Sequence, residues 1–168
     1  MLTAEYVLGL VDGEGSFNVR LNASKRRRAK VELKFSLKLR HQDKALLDAL
    51  HTFFGCGNVY IQRDRRANHT LCYRYEVQNR KDIIETIVPF FRKHQPKAPT
   101  RQTDFELFRR IVGLAQRKPI DFAGIQKLKE QMHCGLAVYG KTVCAVGMPV
   151  PHMREQGNAR QATRAGLR

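Results

Sequence analysis

Hydrophobic and polar residues alternate in several segments of the chain, and this pattern predicts β-strands. Phe17, Val19 and Leu21 begin the series, with polar residues between them. The alternating segments are residues 17–22, 31–40, 58–62 and 71–78. A period of two places one set of side chains in a core and the other set on an open face. We therefore expect one antiparallel sheet with an apolar side and a polar side.

Apolar residues at helical spacing lie before, between and after the predicted strand pairs. Gly55 and Gly57 follow the second helical segment, as glycine commonly does where a helix ends. The predicted helices cover an N-terminal run from about residue 6 and the ranges 43–54, 82–91, 105–115 and 122–132. The pattern predicts an α+β domain in the order helix, two strands, helix, two strands, helix, with extra C-terminal helices.

The length of 168 residues suits one domain with a sizeable core. We assign residues 1–135 to this domain and residues 136–168 to a C-terminal extension. From Gly135 onward the apolar periodicity fades, and the segment from Met153 to Arg168 is polar and basic. We therefore expect the extension to be partly disordered, because residues 153–168 have too few apolar side chains to form a core.

The chain is strongly basic, with a formal net charge of +16 and a pI near 10.3. This surplus predicts a polyanionic partner, with nucleic acid favoured over an anionic membrane. No segment has the apolar length of a membrane span or the pattern of a signal peptide, so we expect no membrane partner. The expected location is intracellular, in a bacterial cytoplasm or an organelle (mitochondrion or chloroplast). The cysteines are scattered without zinc-finger spacing and are expected to be free thiols.

The polar side of the predicted sheet carries side chains that pair with base edges. Arg and Lys suit guanine, Asn and Gln suit adenine, and the major groove admits a β-ribbon. A solvated polar face is the alternative interpretation, which the large positive charge disfavours. Arg27 and Arg65 lie in basic loops, where contacts to phosphate are expected. The strand residues expected to bind DNA are Asn18, Arg20, Asn22, Lys34, Lys38, Arg40, Gln62 and Arg74.

An apolar helical run ends in two carboxylates set among glycines, in the sequence Tyr6-Val-Leu-Gly-Leu-Val-Asp-Gly-Glu-Gly-Ser-Phe17. Gly9 and Gly13 are four residues apart and share one helix face, where a second backbone can approach closely. Each glycine weakens an isolated helix by about 1 kcal/mol, so their presence requires a compensating packing contact. This face is therefore predicted to lie against another helix.

Asp12 and Glu14 lie at the end of this predicted helix, where the backbone carbonyls carry partial negative charge. A bound cation offsets that repulsion, and oxygen ligands suit a hard divalent ion such as Mg²⁺. A plain glycine-rich helix cap is the simpler alternative, although it requires neither acid. A calcium loop is excluded, because Phe17 occupies the position that needs glycine and Ala23 the position that needs a glutamate.

Residues 7–15 resemble the nine-position motif of the LAGLIDADG homing endonucleases. The positions that match the motif are Gly9, Asp12, Gly13 and Gly15, with Glu14 where the family has Asp or Glu. The resemblance implies an αββαββα fold whose antiparallel sheet forms a DNA-binding saddle. It also implies that Glu14 is the catalytic carboxylate, that Glu14 and Gly13 hold the metal, and that Asp12 caps and orients paired helices.

The resemblance extends well past the motif and implies two further site residues. A polar side chain at the exit of the second strand orders active-site water in the family. Gln42 is the favoured match, and Arg40 and His41 are alternatives. A basic side chain after the third helix stabilises charge in the family, and here Lys97 is favoured over Arg101.

One copy of the motif per chain implies a homodimer, because the family's chemistry needs two motif helices. The expected interface residues are Leu8, Gly9, Asp12 and Gly13, in an isologous contact. The implied function is a site-specific DNA endonuclease that makes a metal-dependent double-strand break in a long pseudo-palindromic target during intron homing. Two alternatives stay open: a maturase that binds its host intron RNA, and a DNA-binding regulator without cleavage activity.

Overall fold

The computed structural model describes residues 1–22, 30–62 and 70–132. The elements up to the end of the sheet are α1 (Ala4–Glu14), β1 (Gly15–Leu21), β2 (Val31–Arg40), α2 (Lys44–Phe54), β3 (Asn58–Gln62) and β4 (Cys72–Val77). The helices that follow are α3 (Arg80–Asp82), α4 (Val88–Lys93), α5 (Pro99–Gln116) and α6 (Phe122–Gln131). A 3₁₀ helix, His41–Asp43, joins β2 to α2, and a π-helical turn, Ile83–Ile87, joins α3 to α4. The predicted α+β order is confirmed.

The strands of the described residues form one antiparallel sheet in the order β1-β2-β4-β3. The register pairs Phe17 with Phe35 and Phe35 with Val77, which places these side chains on the apolar side. One position along, Ser36 lies between Ser16 and Glu76 on the polar side. Because side chains alternate with a period of two, this register keeps the two sides of the sheet chemically distinct.

The core lies between the apolar side of the sheet and the helices, with Phe17 fully buried at its centre. The Phe17 ring centroid lies 5.2 Å from that of Phe35, 5.3 Å from those of Phe91 and Phe108, and 5.5 Å from that of Phe105. Aromatic pairs at such distances contribute about 0.5–1.5 kcal/mol beyond the burial of their area. Since these rings come from β2, α4 and α5, Phe17 ties the sheet to the helices that cover it.

Two helix starts and one strand position differ from the predictions. The Asn79 side chain accepts a hydrogen bond from the Lys81 backbone N–H at 2.9 Å, so the third helical region begins earlier than predicted, at Arg80. Helix α5 begins earlier than predicted, at Pro99, because proline fits the first turn of a helix. Ile61, predicted to face the core, is 38% exposed on the edge strand β3.

Several sequence predictions fall outside the described residues. The predicted domain boundary at residue 135, the extension 136–168, and the cysteines at 134 and 144 belong to this group. Cys56 and Cys72 lie within the described part and are free thiols. No helix in that part is both long enough and apolar enough to cross a membrane.

The central position of Phe17 leads to a stability prediction. Replacing Phe17 with alanine should lower the free energy of unfolding by about 3–5 kcal/mol, because the cavity would open among four other aromatic rings. Phe122→Ala is the matched control, since Phe122 is 44% exposed and should lose less than half as much stability. Denaturant-induced unfolding measures both losses, and equal losses would contradict this assignment of the core.

Candidate active site and nucleic-acid face

Helix α1 passes directly into strand β1 at Gly15, and this junction positions the acidic end of the motif. A Cβ atom at Gly15 would lie 2.6 Å from both the Val11 Cγ1 atom and the Val11 carbonyl oxygen. The Gly15 backbone N–H donates to that same Val11 oxygen, with an ordinary φ of −71°. Close approach, and not an unusual dihedral, therefore requires glycine here. The consequence is that Glu14 lies directly at the start of the sheet.

Glu14 lines an open depression of about 440 Å³ on the polar side of the sheet. The depression is also lined by Ser16, Asn18, Arg20, Lys34, Ser36, Lys38 and Arg74. We call this surface the polar depression. The structure therefore brings the predicted catalytic carboxylate together with five of the predicted DNA-binding residues. A single acid among several cations is an arrangement suited to a phosphodiester backbone, because the cations attract phosphate and the acid can hold a divalent ion.

The donor set at Glu14 fits a hard divalent cation only in part. The Glu14 side chain is exposed, and the last turn of α1 contains no basic residue that would neutralise it. The Gly13 carbonyl lies in that last turn, where carbonyls have no partner within the helix. Within residues 1–22, 30–62 and 70–132, no group of three or more His, Cys, Asp or Glu side chains could hold a metal ion. One chain therefore supplies part of an oxygen ligand set.

Asp12 holds the loop that contains Lys97. Both Asp12 carboxylate oxygens accept a hydrogen bond from the Lys97 backbone N–H, at 2.9 and 3.1 Å. This contact joins the end of α1 to the segment before α5, and the Lys97 side chain is exposed beside it. Asp12 thus has a partner within its own chain, and its expected role between two chains stays a prediction.

Arg101, the alternative to Lys97, lies in the first turn of α5. Its Nη1 atom is 3.7 Å from Asp104 Oδ2, and its Nε atom is buried without a hydrogen-bond partner in the described part of the chain. Because the Arg101 guanidinium is directed toward a buried carboxylate, the exposed Lys97 side chain is the better candidate for a charge-stabilising residue near Glu14.

Gln42 lies in the 3₁₀ helix after β2 and is exposed, as are Arg40 and His41. The register pairs Gly15 with Leu37, so the end of β2 and the start of β1 lie at the same end of the sheet. None of these three side chains lines the polar depression. The position of Gln42 at this end of the sheet is compatible with its expected role of ordering active-site water. That role stays a prediction.

The two glycines of α1 leave one face of that helix open. Apart from the backbone of α1 itself, no atom of the described structure would lie within 4 Å of a Cβ atom at either Gly9 or Gly13. Tyr6 lies on the same helix and is 52% exposed. Leu8, in contrast, is only 7% exposed and packs in the chain's own core, and its expected place in the interface stays a prediction.

Of the remaining predicted DNA-binding residues, Asn22, Arg40 and Gln62 lie in the described part of the chain but do not line the polar depression. Asn22 donates from Nδ2 to Glu32 Oε1 at 2.7 Å, near the far end of β1. Gln62 accepts a hydrogen bond from Arg74 Nε at 3.1 Å, which joins β3 to β4. Arg40 is exposed at the end of β2. Arg27 and Arg65, the predicted phosphate contacts, lie outside the described residues.

Glu76 is a residue of the polar side that the sequence analysis did not single out. It is only 6% exposed, and its carboxylate contacts Tyr60, Lys34 and Gln78. Burial by itself would raise the pKa of Glu76, but hydrogen bonds from these three side chains outweigh burial and hold the pKa below its ordinary value. Glu76 is therefore ionised at neutral pH. Burial, followed by the hydrogen bond to Glu76, raises the pKa of Tyr60 to about 12.

Comparisons with known proteins agree with this geometry. The family model described as LAGLIDADG endonuclease matches residues 7–112. "Probable intron-encoded DNA endonuclease 1" of Mycosarcoma maydis is 30% identical over 103 residues, which are 61% of this chain and 34% of that protein. "Probable intron-encoded endonuclease 3" of Neurospora crassa is 30% identical over 149 residues, which are 84% of this chain and 27% of that protein. The chain thus spans about a third of the length of these curated relatives.

Solved structures show the same likeness. The homing endonuclease I-TnaI superimposes with a TM-score of 0.66 at 31% identity, covering 80% of this chain and 90% of that chain. I-SmaMI bound to an uncleaved DNA target in the presence of calcium ions superimposes with a TM-score of 0.67 at 26% identity, covering 79% of this chain and 45% of that chain. With the motif helix, the sheet and the family match in agreement, the chain belongs to the LAGLIDADG endonuclease family.

Proposed function

We propose that this chain is a site-specific DNA endonuclease that makes a double-strand break in a long pseudo-palindromic target, as in intron homing. The observation that carries the proposal is the position of Glu14, an exposed carboxylate at the edge of a cation-lined depression on the sheet. Membership in the family supports it, as do relatives named as intron-encoded endonucleases. The proposed location is a bacterial cytoplasm or an organelle.

Duplex DNA is the proposed partner of the polar depression. Arg20, Lys34, Lys38 and Arg74 come from three neighbouring strands, so they form a two-dimensional cationic surface. A β-ribbon of this kind enters the major groove, where arginine and lysine pair with guanine. The net charge of +16 supplies further attraction to phosphate that does not depend on sequence.

The proposed chemistry is hydrolysis of a phosphodiester bond at Glu14. Glu14, with the Gly13 carbonyl, would hold a divalent metal ion, with Mg²⁺ as our proposal. Such an ion lowers the pKa of an attacking water and stabilises the leaving oxygen. The Asp12 contact to the Lys97 backbone keeps the Lys97 side chain near this end of α1, where its charge offsets that of the phosphate. Gln42, at the same end of the sheet, is proposed to order water.

A homodimer completes the site in this proposal. Each chain carries one motif and part of a metal ligand set, and the open face at Gly9 and Gly13 allows close approach of a second α1 helix. Such an isologous contact would place two Glu14 carboxylates on either side of a two-fold axis, one for each DNA strand. A two-fold protein recognises two half-sites, which accounts for a pseudo-palindromic target.

Replacing Glu14 with glutamine should abolish cleavage and leave duplex binding nearly unchanged, because the amide keeps the shape but loses the charge that holds the metal. The substrate is a duplex that the wild type enriches from a randomised library, incubated with Mg²⁺. Glu5→Gln is the matched control, since Glu5 is an exposed acid at the opposite end of α1. This variant should cleave the duplex normally. Wild-type cleavage by Glu14→Gln would remove this residue from the mechanism.

A wild type that binds the duplex without cutting it would favour the DNA-binding regulator, and preferential binding of host intron RNA would favour the maturase.

Replacing Gly13 with leucine should convert the dimer to a monomer, because the branched side chain would separate the two α1 backbones. Within one chain the added side chain meets open space, so folding should be retained. Gly113→Leu is the matched control, because Gly113 is also an exposed helical glycine with nothing within 4 Å of an added Cβ. Light scattering measures the mass of each variant. A Gly13→Leu protein that remains dimeric would place the interface elsewhere.

A further inference from the structure

We propose that Glu76 is a positioning residue for base recognition: it fixes the side chains of Lys34 and Arg74 in the polar depression without itself contacting DNA. This inference rests on the proposed DNA-binding function. It adds a specificity-determining residue that lies beneath the residues expected to contact bases.

Glu76 lies in the middle of the sheet, where the register surrounds it with small or polar neighbours. It is paired with Ser36 of β2 on one side and with Asn58 of β3 on the other. Ser36 is buried, and both Ser36 and Asn58 have uncharged side chains. Neither neighbour therefore provides a charge that could neutralise the carboxylate. The neutralising groups therefore have to come from the next positions along the strands, which are occupied by Lys34 and Arg74.

The contacts to Glu76 use most of its capacity to accept hydrogen bonds. The Tyr60 hydroxyl donates to Oε2 at 2.6 Å, and Lys34 Nζ lies 3.2 Å from the same oxygen. Arg74 Nη1 is 3.8 Å from Oε2, and the Gln78 amide donates to Oε1. A carboxylate offers about four acceptor sites. With three donors, the Arg74 ion pair and 6% exposure, Glu76 is not available to accept a hydrogen bond from a cytosine.

The guanidinium of Arg74 makes one hydrogen bond and one ion-pair contact. Its Nε atom donates to Gln62 Oε1 at 3.1 Å, and its Nη1 atom faces Glu76. A guanidinium is a planar group with five N–H donors, so a hydrogen bond at Nε and an ion-pair contact at Nη1 together restrict the direction of the donors that remain. Bidentate recognition of a guanine requires such a fixed plane. Glu76 and Gln62 together therefore pre-organise Arg74 for recognition of a base.

A positioning carboxylate has two opposite effects on DNA binding. Its negative charge beneath the polar depression weakens the attraction to phosphate, which contributes to every duplex alike. Its hold on Lys34 and Arg74 strengthens discrimination between bases, because an ordered side chain loses little conformational freedom on binding. Removal of the charge should therefore lower specificity while leaving the affinity for random DNA unchanged or increased. A residue that merely stabilises the fold would not separate these two quantities.

The test compares the full chain and its Glu76→Gln variant by selection from a randomised duplex library. Calcium is used in place of Mg²⁺, since I-SmaMI has been captured on uncleaved DNA with calcium ions present. Base preference at each position is read from the selected sequences, and affinity for the unselected library is measured separately. Glu76→Gln should reduce the preference at one or two positions per half-site by about tenfold, with no loss of affinity for the unselected library.

Two further variants separate an effect of the contacts made by Glu76 from an effect of net charge alone. Glu85→Gln removes an equal charge from an exposed ion pair with Lys81 and should keep the wild-type base preferences. Tyr60→Phe deletes one hydrogen bond to Glu76 without a change of charge and should weaken preference at the same positions as Glu76→Gln. If Glu76→Gln fails to fold, the Tyr60→Phe preferences decide the question.

The inference is overturned if Glu76→Gln or, should that variant not fold, Tyr60→Phe selects the same sequences as the wild type with the same stringency. It is also overturned if affinity for selected and unselected DNA falls in parallel, which indicates a structural role alone. A wild type that enriches no duplex sequence overturns the proposed function itself, and that result differs from either of the others.

Discussion

Gly15 approaches Val11 so closely that any side chain at residue 15 would collide with the helix that precedes it. This contact allows α1 to continue into β1 without a loop. Because no loop intervenes, Glu14 has little freedom relative to the sheet, and it lines the same depression as Arg20 and Lys38. The direct junction thus combines a candidate catalytic group and a candidate nucleic-acid surface in one unit. Precise placement of this kind is what catalysis by positioned groups requires.

The sheet separates two tasks on its two sides. On the apolar side, Phe17 joins the strands to the helices and supplies stability through buried aromatic contacts. On the polar side, the cations would repel one another without a counter-charge, and Glu76 provides one beneath them. Net positive charge favours DNA but disfavours compactness. Glu76, a buried acid that accepts hydrogen bonds from several side chains, is therefore proposed to order the polar depression. Its negative charge at the same time weakens the attraction of this surface to phosphate.

Sequence analysis predicted the elements with a strong local signal. Strict alternation predicted the strands, and the motif predicted the position of Glu14 at the end of α1. Contacts that depend on register or on distant segments were not predictable in this way. The pairing of Glu76 with Ser36 depends on strand register, and the Asp12 contact to Lys97 joins residues 85 positions apart. The burial of Leu8 in the chain's own core was likewise not predictable, because the motif does not show which face of α1 packs on its own sheet.

The central claim is that one chain supplies half of a nuclease: one Glu14 and one cationic sheet surface for one half-site. Native mass spectrometry of the full chain with a saturating amount of an enriched duplex tests this claim most directly, because it counts chains and duplexes in the same particle. A homodimeric nuclease should give a complex of two chains on one duplex at saturation. A complex with a single chain on each duplex at saturation would contradict it.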